Sequence, residues 1–145
     1  MKINPKSIFH YISYLQYPLL LIAIYYVFVP ILQGFDNPWF SINKALIFMG
    51  IGISFSSLQD TQKTQNNFSK KVWENPKKGK FFLLLMGLTM ALFLVVGIFG
   101  LYSADEAILK EISLGTIVLG IGYMGLWKSA MEMFENHRKD KNPDF

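Results

Sequence analysis

Four stretches of this chain carry no Asp, Glu, Lys or Arg, and polar, charged segments separate them. The first runs from Ser7 to Phe35 and the third from Phe81 to Ala104. Each exceeds the roughly 20 apolar residues with which a helix crosses a bilayer core. The second, Ala45 to Gln59, and the fourth, Ile112 to Trp127, are shorter and reach that length only by taking in flanking polar residues. The pattern predicts an all-α integral membrane protein: four transmembrane helices in an antiparallel bundle, with spans at about 8–33, 39–59, 81–102 and 107–131. A basic loop over 60–80 and a charged tail over 132–145 complete this single domain.

Charge orients the spans. If all four cross, one side holds the N-terminus, the 60–80 loop and the C-terminal tail. That side collects every Lys and Arg except Lys44 and Lys110. Basic residues in short loops stay cytoplasmic, so both termini are expected there, at the cell (inner) membrane of a bacterium. At the outer end of the third span, Ser103 and Glu106 fit a capping box for the fourth helix. Asp105 and Glu106 favour that helix's positive N-terminus, and Glu106 lies four residues before Lys110. Lys44, Asp105, Glu106, Lys110 and Glu111 form a candidate polar cluster at the outer rim. There Lys44 is expected to reach outward or to meet Asp36, Asp105, Glu106 or Glu111.

Composition narrows the chemistry. With 52% hydrophobic and 17% charged residues and no cysteine, disulfides, thiolate nucleophiles and cysteine-ligated metals are excluded. No cofactor or metal is expected. "GIGYMG" (Gly120 to Gly125) matches a dinucleotide fingerprint, but it lies inside an apolar helix instead of opening one after a strand. His10 and His137 both fall on the cytoplasmic side. His137, in "ENHRKDK", is expected to be solvated instead of binding haem.

Small residues mark packing faces. At 100° per residue Asn43, Gly50, Ser54 and Ser57 share one side of the second span. Gly115, Gly122 and Ser129 share one side of the fourth, with Gly125 at the flank. These stripes are expected to meet neighbouring helices, in a second copy or a larger membrane partner as well as in this chain. In the first span Pro18 frees the carbonyl of Tyr14 and bends the helix. Tyr11, Tyr14, Pro18 and Tyr25 then make either a pocket for a small apolar ligand or a set of interfacial anchors.

A shift of 70 residues lays "FMGIGIS" (Phe48 to Ser54) over "VLGIGYM" (Val118 to Met124), suggesting two repeated helical hairpins related by an axis along the membrane normal. With "GLYSA" at the outer turn, this resembles small bacterial inner-membrane proteins built from duplicated two-helix units. The resemblance covers no functional motif.

In the basic loop, Lys70, Lys71, Lys77, Lys78 and Lys80 are expected to face anionic lipid headgroups, with Phe68, Val72 and Trp73 on one inserted face. Nucleic acid is not an expected partner, because the chain has a single arginine. The functional expectation is a non-enzymatic subunit or assembly factor. The alternative is an oligomeric transporter or channel, for which Gln16, Asn43, Ser54 and Ser57 are the candidate polar path.

Overall fold

The structure, a computed structural model, describes residues 5–35, 37–62, 67–102 and 107–141. Every regular element in them is helical: α1 (Pro5–Ser13), α2 (Gln16–Leu32), α3 (Pro38–Ser56), α4 (Asn67–Trp73), α5 (Pro76–Tyr102) and α6 (Ala107–His137). The apolar stretch Ser7–Leu32, spanning α1 and α2, and the helices α3, α5 and α6 are each long and apolar enough to cross a membrane. Asp36, Ser103, Asp105 and Glu106 lie outside the described residues, and so does the side chain of Phe68.

Local chemistry sets the helix boundaries. Pro18 has no N–H to give the Tyr14 carbonyl, and the N–H of Tyr17 takes that acceptor at 3.1 Å. The N–H groups of Tyr14 and Leu15 bond three residues back, to Tyr11 and Ile12, so a tightened turn separates α1 from α2. α2 ends in a Schellman motif: Gly34 adopts φ 77° and the N–H of Phe35 reaches the carbonyl of Pro30 at 2.8 Å. Before α5, Asn75 Oδ1 accepts the N–H groups of Lys77 (3.0 Å) and Lys78 (3.2 Å), with Pro76 opening the helix.

The long helices pack as a row, α2 on α3, α3 on α6 and α6 on α5, and no comparable packing joins α2 to α5 among the described residues. Within each hairpin the neighbours run antiparallel. Gly52 of α3 meets Leu20 and Gln16 of α2, and along α5 Gly100, Gly97 and Gly87 meet Ser113, Ile117 and Trp127 of α6 in reverse order. The central pair is different. Asn43 and Gly50 of α3, and Ser57 just past its end, meet Gly115, Gly122 and Gly125 of α6 in increasing order, so α3 and α6 lie parallel. An antiparallel arrangement therefore holds within the hairpins and not between them.

This central seam is backbone against backbone. A Cβ on Gly50 would stand 2.6 Å from the carbonyl of Val118, and one on Gly122 would strike the carbonyl of Gly50. Gly115 is equally closed: a Cβ there would lie 2.6 Å from Asn43. That closeness lets Asn43 Oδ1 accept the N–H of Gly115 at 2.7 Å, a polar tie across the seam. The spacing of seven residues, 43–50–57 against 115–122, suits a shallow left-handed crossing.

The 70-residue shift matches helix ends better than helix faces. α2 stops at Leu32 and α5 at Tyr102. The shift also superposes Gly50 on Gly120 and Gly52 on Gly122, yet the seam contains Gly50 and Gly122. Gly52 faces Leu20 of α2, and Gly120 faces Leu94 of α5. Residues made equivalent by the shift thus face different neighbours.

The seam generates a prediction. Gly122→Ala forces two backbones apart, whereas Gly87→Ala presses only on the edge of the Trp127 ring, 3.1 Å away. In mild detergent, Gly122→Ala is expected to destabilise the fold by about 1–3 kcal/mol. Gly87→Ala should lower the thermal midpoint by much less, as followed by circular dichroism.

Candidate functional site

Polar side chains within the long helices bond mainly to backbone. Ser54 Oγ donates to the Gly50 carbonyl at 2.9 Å, Ser57 Oγ to Ser54 at 2.7 Å and Thr116 Oγ1 to Ile112 at 2.9 Å. Asn43 is taken by Gly115, and Gln16 is buried on α2. Trp127 Nε1 donates to the Leu83 carbonyl at 2.9 Å, its ring lying on the bare surface of Gly87. Asn43 and Trp127 thus tie one helix to another, while the Ser and Thr hydroxyls bond within their own helix.

The tyrosines of the first apolar stretch face outward. Tyr11, Tyr14, Pro18 and Tyr25 are all exposed, and they line none of the three clefts described below. Tyr14 packs edge-on against His10, with its hydroxyl 3.3 Å from His10 Nε2, and stacks on Tyr17.

At the end carrying the Gly34 turn, Lys44 forms no ion pair with Glu111. Its ammonium lies 4.3 Å from the Phe40 ring centroid and 5.2 Å from that of Tyr26, which stacks on Phe48. Aromatic faces thus attract the Lys44 ammonium, while Asp36, Asp105 and Glu106, the other acids named for it, lie outside the described residues. Glu111 accepts a 3.5 Å hydrogen bond from Asn37, and Lys110 is exposed.

The opposite, basic end is a folded cap. Trp73 of α4 turns into the protein, not outward: it is buried with Ala130 and Phe134, and Val72, Phe82 and Met133 pack around them. Trp73 meets Phe82 edge to face, with ring centroids 5.9 Å apart. Gly79 leaves the space that the Phe134 ring fills, and the Arg138 guanidinium lies 5.1 Å over that ring. His137 is buried instead of solvated, because its Nδ1–H donates to the Met133 carbonyl at 2.8 Å and the last turn of α6 is covered. Lys139 binds Glu74 twice, by its N–H to the carbonyl at 3.2 Å and by its ammonium to the carboxylate at 2.9 Å. Lys70 adds a second, longer ion pair to Glu74 at 3.7 Å.

Around this cap, Lys70, Lys71, Lys77, Lys78 and Lys80 are exposed. Lys71, Lys77 and Lys78 have no acid partner among the described residues. Three clefts open here. One, of about 400 Å³, lies between α1, the turn after α3 and the end of α6. A second, of about 410 Å³, shares Thr61, Glu132 and Asn136 with it. The third, of about 250 Å³, lies under Trp73 between α3, α5 and α6. Among the described residues no three His, Asp or Glu side chains converge as a metal site would require.

The inward turn of Trp73 had one signal in the sequence: Glu74 and Lys139 are opposite charges placed where α4 and the end of α6 meet. No short-range pattern announces that pairing. Compared with known proteins, the chain matches no family model, no curated protein and no solved structure, so its own residues carry the functional reading.

The cap should be acid-sensitive. Glu74 is held below the ordinary carboxylate range, first by the hydrogen bond from Lys139 and then by the charges of Lys139 and Lys70. A carboxylate with a lowered folded pKa stabilises the fold above its unfolded value, about 4.3. That contribution disappears as the pH falls through the folded value. In a Trp39→Phe, Trp127→Phe background, the emission of Trp73 is expected to shift red between about pH 5 and pH 3. Glu74→Gln should loosen α4 already at neutral pH and remove its share of that acid step.

Proposed function

We propose that this is a multi-pass protein of a bacterial inner membrane that serves as a non-enzymatic subunit or assembly factor, presenting its basic cap to the cytoplasm. The outward faces of α2 and α5 support the membrane placement. Leu21, Tyr25, Leu84, Leu88, Leu92, Val95 and Phe99 are all about 60% exposed or more, which suits acyl chains and not water. A hydrocarbon core is about 30 Å thick. At 1.5 Å per residue the 19 residues of α3 cover about 28 Å, and the 31 of α6 about 46 Å. The excess of α6 is the part on which the cap is built. The lysines of the cap, facing anionic headgroups, orient both termini inward.

The observation that carries the subunit reading is where the polar groups go. Asn43, Ser54 and Ser57, three of the four candidates for a transport path, are bonded to helix backbone, and the fourth, Gln16, is buried on α2. The structured charged surface is at the cap. The small-residue faces, moreover, meet within the chain: Gly50, Gly115, Gly122 and Gly125 are all covered by the α3–α6 seam. A partner, whether a larger membrane protein or a second copy, is therefore engaged through the cap or through the large apolar side chains of α2 and α5.

Two measurements test this. The chain has no cysteine, so a single one can report sidedness. Gly34→Cys is expected to react with an impermeant maleimide on intact cells, and Lys77→Cys only after permeabilisation. Reversed labelling removes the orientation. Purified protein reconstituted alone in liposomes should carry no ion flux. A flux that Asn43→Leu abolishes would replace the subunit reading with the transporter.

A further inference from the structure

Between α1, the turn after α3 and the end of α6, the cleft of about 400 Å³ has a mixed lining. Phe9 and Leu58 contribute apolar side chains, and Gln59, Asp60, Glu132 and Asn136 contribute polar ones. Its size falls in the range of small-molecule sites, roughly 300–1,000 Å³. Its charge runs against the rest of the molecule. The chain has a formal net charge of +4, yet among the described residues the ionisable groups lining this cleft are both carboxylates. They are not equivalent. Glu132 is neutralised by Lys128 at 2.7 Å. Asp60 accepts the backbone N–H of Gln62 at 3.0 Å and has no Lys or Arg partner among the described residues. An uncompensated carboxylate thus shares a cleft with an aromatic ring and an aliphatic side chain.

We propose that this cleft binds a small organic ammonium ion with a short apolar substituent. Asp60 supplies the counter-charge. Phe9 offers the negative face of its ring to the ammonium carbons, a contact that strengthens as water is excluded. Leu58 takes the alkyl part, and the amides of Gln59 and Asn136 solvate the rim. A bare metal ion fits poorly, because calcium takes six to eight oxygen ligands and magnesium a near-ideal octahedron. Here one of the two carboxylates is already held by a lysine. An anion meets only like charge.

The test uses the full chain in an uncharged detergent, with butyltrimethylammonium as probe and pentanoate and pentan-1-ol as controls, titrated calorimetrically. Saturable binding of the ammonium is expected, weakening as salt is raised, with neither control competing. Asp60→Asn should weaken it about tenfold. Phe9→Leu, which keeps an apolar side chain and removes the ring, should weaken it about threefold or more. Thermal midpoints report whether each variant is folded. If Asp60→Asn does not fold, the salt dependence and Phe9→Leu decide the matter. Absence of saturable binding, equal binding of pentanoate or pentan-1-ol, or folded variants that bind as the parent does would each overturn the site.

Discussion

The bare backbone contact between α3 and α6 is the constraint from which the other packing follows. Gly50 and Gly122 can touch only because neither has a side chain, and their contact brings Asn43 within hydrogen-bonding distance of Gly115. With the two inner helices fixed, α2 and α5 are left to the flanks. Each is fitted to its neighbour by a glycine of the same short motif, Gly52 on one side and Gly120 on the other. One helix face thus makes the seam while the nearly opposite face, two residues or about 200° round the helix, makes the hairpin. Where water gives apolar faces no reason to associate, close approach and interhelical hydrogen bonds carry more of the cohesion.

The helices themselves were legible in the sequence, because uncharged runs bounded by lysines and prolines leave little choice of element. The faces were legible too: the 100° stripe through Asn43, Gly50 and Ser57 is the one that meets α6. What the pattern left open was the identity of the neighbour. A glycine stripe says that something comes close and not which helix it is, and here the answer was the parallel helix of the other hairpin. The 70-residue alignment left the neighbour open for the same reason. Gly-Ile-Gly matches in both halves, but its two glycines exchange roles between them.

Two expectations failed through tertiary context. Trp73 and Val72 look like a membrane-inserting face when α4 is considered alone, and their burial depends on Phe134 sixty residues away and on the space above Gly79. His137 looks solvated in its charged run, yet it is buried, with its ring bonded back to the Met133 carbonyl. Lys44 shows the same effect on a smaller scale. Beside it stand Tyr26 and Phe40, ordinary hydrophobic residues in any count, whereas Asp36, Asp105 and Glu106 lie outside the described residues. In each case the deciding group lies far along the chain or belongs to a residue type that charge patterns ignore.

The tie between Asn43 and Gly115 joins residues 72 positions apart, and this separation matters during synthesis. At about 5–20 residues per second, a ribosome makes Asn43 some 4–14 s before Gly115 exists. Throughout that interval the amide of Asn43 lacks the helix that covers it. The newborn chain is most open to mispairing in those seconds.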